Sequence, residues 1–215
     1  MLKLLTQNFW YDVILKSTYF KSLENKGIFN RDELGEIKNE FKKFTTQNKS
    51  MLMDVYSEFH LSWCSAILAT YRACLKKKMP AEKASEFTEH AVFDYMQADR
   101  IGKRIQKMLD NAGDPFRAIV NSSKYQEEKF FGKTFGITRP VDDDNHYLCL
   151  IHKCFYNDFF RRNKAPALMQ IACKWDFISW AKGIVPEKHH IKFTRTVTLG
   201  LDDQKCPFEF ERIRK

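Results

Sequence analysis

Amphipathic helical stripes dominate the first half of this chain. Apolar residues recur every three or four positions over residues 3–24, 31–44 and 50–78, which is the spacing of one face of an α-helix. A fourth stripe begins after Pro80, which suits the first turn of a helix, and ends at Gly113, which suits its last. The pattern therefore predicts a series of helices.

The spacing changes beyond these stripes. Asp114-Pro115 predicts the start of a short helix, and Gly132, Gly136 and Pro140 predict a loop-rich passage. Further elements are predicted as a strand over residues 145–152 and as helices over residues 155–163 and 166–182.

The clearest strand pattern lies in residues 189–212. Side chains alternate between apolar and polar, so one face of the first strand is predicted to carry Ile191, Phe193, Arg195, Val197 and Leu199. A turn at 201–204 leads to a return strand whose inward positions are Cys206, Phe208 and Phe210. Arg195 stands in the middle of the apolar face, where a cation is costly unless an anion meets it.

These elements predict an α+β fold. We expect a single domain over residues 1–215, with a mainly helical portion over 1–140 and an α+β portion over 141–215. In it, the helical N-terminal half packs with a small antiparallel β-sheet and covering helices.

The charge pattern argues against nucleic-acid and membrane partners. The formal net charge is +9, but basic and acidic residues are interleaved, and no recognised nucleic-acid motif accompanies the densest run, residues 76–78. That run follows a helical stripe, where cations stabilise the end of a helix. We therefore predict no nucleic acid and no membrane among the partners, and the oligomeric state is left open.

The cysteines favour a reducing compartment. The chain has six cysteines, none in a CxxC pair, and no secretory signal precedes them. Free thiols in the cytoplasm are the expectation.

A candidate reaction site lies in the C-terminal third. Cys173 and Asp176 share one face of a predicted helix, and Asp176 is flanked by Trp175 and other aromatic residues, where a bare carboxylate is disfavoured. Arg195 is its most natural partner. The pair either clamps the structure or leaves donors of the guanidinium for a substrate carboxylate. Cys206 is predicted on the same inward face, either as inert packing or as a reactive thiol.

His152 and Cys154 form a second candidate arrangement. If the strand that carries them persists, their side chains point the same way, and a histidine beside a cysteine activates the thiol. A metal site built from His152, Cys154, Cys173 and Cys206 is the competing interpretation, but closely spaced ligand pairs are missing. We therefore predict no metal.

The same residues resemble a known family. Cys154, CKWD at 173–176, TRTVT at 194–198 and CPFEF at 206–210 resemble the C-terminal portion of L-2-amino-thiazoline-4-carboxylic acid hydrolases, over roughly residues 145–212. Three departures are visible. Pro207 replaces an aspartate, the turn glycine is displaced to Gly200, and the segment between Asp176 and Arg195 is longer than usual.

The resemblance implies a cofactor-independent hydrolase that opens a small cyclic amidine or amide-like ring. The namesake reaction converts a thiazoline into N-carbamoyl-cysteine, and the implied partner is a small-molecule substrate that carries a carboxylate. Attack on the C=N carbon and protonation of the leaving atom are the chemical requirements. Either a thiolate attacks, or a carboxylate or histidine activates water.

The expected roles follow. Cys206 or Cys173 is the nucleophile, Asp176 handles the proton or orients the reacting groups, and Arg195 anchors the substrate carboxylate. Residues expected to contact or support the substrate are Cys154, His152, Trp175 and Thr198. The alternative function is a non-catalytic module that binds or senses an anionic small molecule through the same pocket.

Overall fold

The predicted α+β class is confirmed. The structure is a computed structural model that describes residues 12–96, 98–201 and 203–214, without the side chains of residues 96, 98 and 99. It contains helices and one four-stranded antiparallel sheet. Residues 3–11 of the first predicted helix, and Asp202 in the predicted turn, lie outside the described residues.

The described residues form two compact units. The first comprises residues 12–96, 132–134 and 155–169, and the second comprises residues 98–131, 135–154, 170–201 and 203–214. Whether the chain is one domain stays a prediction.

Helices make up the first unit almost entirely. They are α1 (Phe20–Asn25), α2 (Arg31–Gln47), α3 (Ser57–Lys76), α4 (Ala81–Met96) and α7 (Phe155–Arg162). The two helices that come between α4 and α7 in the chain, α5 (Ala98–Asp110) and α6 (Pro115–Gln126), belong to the second unit. Helix α2 begins with a capping box, because the Glu33 amide donates to the Asn30 side chain and the Asn30 amide donates to the Glu33 carboxylate. Helix α3 is the central element of this unit, with buried residues on nearly every side.

Two helix predictions in this unit need correction. The apolar stripe predicted over residues 3–24 includes Val13 and Ile14, but both are exposed. The buried face is formed instead by Leu15, Tyr19 and the following turn, because Leu15–Tyr19 is a π-helical turn that shifts the face. Helix α3 begins at Ser57 instead of Ser50, since the Asp54 side chain accepts hydrogen bonds from the Ser57 amide and hydroxyl at the start of the helix.

The second unit carries the sheet. Its strands are β1 (Gly136–Asp142), β2 (His146–Lys153), β3 (Ile191–Thr194) and β4 (Cys206–Arg212), in the order β1-β2-β4-β3. Helices α8 (Met169–Gly183) and α9 (Pro186–His189) precede β3. The predicted loop around Gly136 and Pro140 is wrong, because this passage pairs with β2 as strand β1 and accommodates its irregular residues in register shifts. The predicted boundary at residue 140 therefore falls within a strand.

Alternation along β2 and β4 defines a buried inner face. Tyr147, Cys149 and Ile151 of β2 are buried, and their register partners on β4 are Phe210, Phe208 and Cys206, which are also buried. The ring of Trp180 on α8 contacts Phe210 edge-on, with ring centroids 5.5 Å apart. Helix α8 thus covers this face next to β4.

Strand β3 is shorter than the sequence predicts. It ends at Thr194, although the alternation continues to Leu199. The register that pairs Thr194 with Glu209 would next join Thr196 to Pro207 by hydrogen bonds. Pro207 has no N–H group to donate to the Thr196 carbonyl oxygen, so the pair of hydrogen bonds that would extend the ladder cannot form. The chain from Arg195 to Thr198 therefore lies outside the sheet.

Candidate functional site

One face of helix α8 meets the segment that follows β3. Cys173, Asp176 and Phe177 lie three and four residues apart, so they project from the same side of the helix. Sγ of Cys173 lies 3.7 Å from Oγ1 of Thr198. The centroids of the Phe177 and Phe193 rings are 5.9 Å apart. The predicted shared face of Cys173 and Asp176 thus points at the segment that contains Arg195.

Arg195 is the centre of this cluster. Its side chain is only 5% exposed. Its Nε donates to Sγ of Cys206 at 3.2 Å, and Nη1 donates to the carbonyl oxygen of Cys173 at 2.9 Å. The guanidinium carbon lies 4.5 Å from the centre of the Phe208 ring, a cation–π contact. The structure therefore brings Arg195, Cys173 and Cys206 together.

Asp176 completes the cluster but does not saturate the guanidinium. Its Oδ2 lies 3.8 Å from Nη1 of Arg195, which is an ion pair beyond hydrogen-bonding distance. Burial raises the pKa of the Asp176 carboxyl above its ordinary value, although Arg195 acts in the opposite direction. Among the described residues, the hydrogen-bond acceptors of the guanidinium are thus a thiol and a carbonyl, both uncharged groups.

The two thiols of the cluster differ in accessibility. Cys206 is buried, and burial raises the pKa of its thiol to about 11, although the neighbouring guanidinium lowers it. Cys206 is therefore protonated at neutral pH. Cys173 is half-buried, so it is the thiol that a small molecule reaches more easily.

The remaining predicted residues are placed as follows. Trp175 is half-buried on helix α8, beside Asp176 in sequence, and Thr198 contacts Cys173. Cys154 is buried just after the end of β2. His152 is exposed, and its ring crowds Gly136 on the neighbouring strand.

The proposed His152–Cys154 arrangement needs correction. The prediction required the strand to persist through both residues, but β2 ends at Lys153. The side chain of His152 is exposed, whereas that of Cys154 is buried. The strand end removes the alternation on which the predicted thiol activation depended.

The described residues contain no cluster of three or more His, Cys, Asp or Glu side chains that could hold a metal ion. The competing metal interpretation required His152, Cys154, Cys173 and Cys206 as ligands. Their burial differs, since His152 is exposed and Cys206 is buried on the inner face of the sheet. No helix within the described ranges is both long and apolar enough to cross a membrane.

Sequence reasoning missed a buried carboxylate in the same unit. The side chain of Glu127 is 4% exposed and accepts hydrogen bonds from Arg139 Nε at 2.7 Å, from Ser123 Oγ at 3.1 Å and from the Tyr147 hydroxyl. Glu127 also contributes, after burial, to the raised pKa of the Cys149 thiol. The alternation of β2 places Tyr147 and Cys149 on the inner face, but nothing in the spacing around residue 127 marks a buried anion.

Comparison with known proteins gives one family match. The family model described as L-2-amino-thiazoline-4-carboxylic acid hydrolase matches residues 62–210, so the match begins within α3 and ends within β4. No curated protein matches the chain. Among solved structures, the chain is similar to the NMR structure of an H-NOX domain from Shewanella oneidensis in its Fe(II)CO ligation state. The two are 12% identical with a TM-score of 0.34, and the similarity covers 92% of this chain and 98% of that one.

Proposed function

We propose that this chain, which belongs to the family of L-2-amino-thiazoline-4-carboxylic acid hydrolases, opens a small cyclic amidine ring that carries a carboxylate. Membership rests on a family match to more than half of the chain. The substrate class and the residue roles are proposals that rest on the cluster around Arg195.

The observation that carries the proposal is the incompletely compensated charge of Arg195. Its side chain is 5% exposed, its hydrogen bonds go to uncharged acceptors, and its nearest described carboxylate is 3.8 Å away. A buried cation of this kind is costly unless an anion pairs with it. A substrate carboxylate supplies such an anion, and the fork of a guanidinium suits it.

Cys173 is the better of the two candidate nucleophiles. It is half-buried and lies on the same helix face as Asp176, whereas Cys206 is buried. The raised pKa of Cys206 suits a protonated thiol that lines the site. Asp176 lies on the same helix face as Cys173, and burial raises the pKa of its carboxyl, which favours a group that takes up a proton and returns it.

The proposed reaction balances as follows. The sulfur of Cys173 bonds to the amidine carbon, the electron pair of the C=N bond moves to the nitrogen, and the thiol proton passes to the Asp176 carboxylate. The C=N bond then re-forms while the bond from that carbon to the ring heteroatom breaks, and the leaving atom takes the proton from Asp176. Water next attacks the same carbon and gives one proton to the nitrogen. A C=O bond forms as the bond to Cys173 breaks, and the second proton of the water restores the Cys173 thiol. The net change is the addition of one water molecule and the opening of the ring.

Turnover of 2-aminothiazoline-4-carboxylate tests this function. Purified protein is incubated with the compound, and N-carbamoyl-cysteine is measured by mass spectrometry. We expect product from the wild type, no product from Cys173→Ser, and unchanged turnover in a Cys64→Ala control, whose cysteine is buried in the helical unit. Full activity in Cys173→Ser would remove this thiol from the mechanism. Binding of the compound without product would favour the non-catalytic module instead.

A further inference from the structure

The segment from Arg195 to Thr198 carries main-chain donors that the sheet does not use. Strand β3 ends at Thr194, and within the described part of the chain the N–H groups of residues 195–198 donate no hydrogen bond. Main-chain donors are seldom left without a partner unless water or a ligand meets them. This segment thus offers free donors beside the candidate site.

The register shows which of these donors the broken ladder releases. Thr194 pairs with Glu209, and alternate residues of β3 direct their N–H groups at β4. Continued in the same register, the N–H group of Thr196 would face Pro207, and that of Thr198 would face Lys205, just before the start of β4. The amides of Arg195 and Val197 would point away from the sheet, as on any edge strand.

A charged donor lies beside the same gap. Arg195 uses Nε for Cys206 and Nη1 for the Cys173 carbonyl, and its Nη2 donates to none of the described residues. Thr198 is itself in contact with Cys173, the proposed nucleophile. The free donors and the proposed reacting thiol therefore belong to one short stretch of chain and the helix face opposite it.

We propose that the main-chain amides of Thr196 and Thr198, together with Nη2 of Arg195, form a carboxylate-binding subsite. Its ligand is the carboxylate of a small cyclic acid, so the inference rests on the proposed function and identifies the atoms that hold the substrate. Carboxylates accept several hydrogen bonds at once, and main-chain amides combined with a guanidinium supply them without reorganisation.

Pro207 acts on this subsite through the ladder. It has no N–H group to donate to the Thr196 carbonyl oxygen, so the pairing with β4 stops at Thr194 and the amides of Thr196 and Thr198 stay outside the sheet.

Amide NMR spectroscopy of the full chain tests the subsite without turnover. The probe is thiazolidine-4-carboxylate, whose saturated ring has no amidine carbon to attack, and its methyl ester is the uncharged control. We expect the acid to shift the amide signals of Thr196 and Thr198 and the ester to leave them in place. Binding of the acid with both signals unmoved would overturn the subsite and leave the proposed function standing.

A matched pair of variants tests the same claim by affinity. Thr196→Pro removes the N–H group, whereas Thr196→Ala keeps it, and the Thr196 side chain is exposed in the wild type. We expect Thr196→Pro to weaken binding of the acid by about tenfold or more and Thr196→Ala to leave it unchanged. Equal affinities would overturn the subsite. If Thr196→Pro does not fold, the wild-type NMR result decides alone.

Failures of the two proposals are distinguishable. Shifts at Thr196 and Thr198 in a protein that opens no cyclic amidine ring would support the subsite and contradict the hydrolase function. An acid that does not bind would overturn the subsite and the proposed substrate class together.

Discussion

Nε of Arg195 reaches Sγ of Cys206 at 3.2 Å, next to the point where β3 and β4 stop pairing. The contact joins Arg195, the first residue after the end of β3, to Cys206, the first residue of β4. It makes the Cys206 thiol an acceptor for a buried cation, and it leaves Cys173 as the more accessible thiol of the cluster.

Alkylation should distinguish these two thiols. With iodoacetamide at pH 7 to 8, Cys173 is expected to react while Cys206 stays protected, because Cys206 is buried and its pKa is raised to about 11. Peptide mass spectrometry after timed quenching gives the two rates. Faster labelling of Cys206 than of Cys173 in folded protein would contradict the assignment.

The ionisation of Asp176 should affect stability with a defined sign. Because burial raises its folded pKa, the ionised carboxylate disfavours folding, and this penalty develops as pH rises from the unfolded pKa through the folded one. Asp176→Asn should therefore gain stability relative to the wild type as pH rises from about 3 to 7. Urea unfolding at several pH values measures this difference. A relative loss that grows with pH would show that pairing with Arg195 outweighs burial.

Glu127 should be a major contributor to stability. Replacing it with alanine removes the acceptor of Arg139, Ser123 and Tyr147, and leaves a buried phenol without its partner. We expect a loss of about 3 kcal/mol in the free energy of unfolding. Glu128→Ala is the matched control, since its side chain is 62% exposed, and should change stability by less than about 0.5 kcal/mol. Urea denaturation of both variants gives the comparison, and similar losses in the two would contradict it.

Gly183 marks a close approach of α8 to α5. A Cβ atom added there would lie 2.5 Å from Cγ2 of Ile105, so Gly183→Ala should destabilise the protein by about 1–3 kcal/mol. Gly35→Ala is the control, because its added Cβ meets nothing within 4 Å beyond the neighbouring backbone of its own helix, and the residue lies inside α2. This control should be neutral or stabilising by up to about 1 kcal/mol. Thermal unfolding measures both, and a neutral Gly183→Ala would contradict the close packing.

Pro207 should control the length of β3. Pro207→Val supplies an N–H group that can donate to the Thr196 carbonyl, so the ladder can extend by one pair. We expect amide hydrogen exchange at Thr196 to slow in this variant, while exchange at Thr194 stays as in the wild type. Exchange measured by NMR checks this, and unchanged exchange at Thr196 would mean that another feature ends the strand.

The helices and the inward face of the hairpin follow from local periodicity. The stripe over residues 31–44 and the alternation of Cys206, Phe208 and Phe210 each predict one buried face. In the structure these apolar residues of α2 and β4 are buried. The shared face of Cys173 and Asp176 follows in the same way. The ion pair between Asp176 and Arg195 follows instead from charge, because each is a charged residue predicted in apolar surroundings and is the most natural partner of the other.

The rest depends on pairing between distant segments. Strand β1 contains Pro140 and pairs with β2 through irregular register, which local patterns do not show. The early end of β3 depends on a proline in the facing strand, so it is visible only once the register is known. Glu127 meets its donors from α6, β1 and β2 only in the folded unit.

The preference for a charged substrate tests the central claim most directly. Values of kcat/KM are measured for 2-aminothiazoline-4-carboxylate and for its methyl ester, with the wild type and with Arg195→Leu. The account predicts that the wild type prefers the acid by about tenfold or more and that Arg195→Leu, shown to be folded by circular dichroism, loses this preference. The account is contradicted if the wild type opens neither ring, or if Arg195→Leu keeps the preference of the wild type.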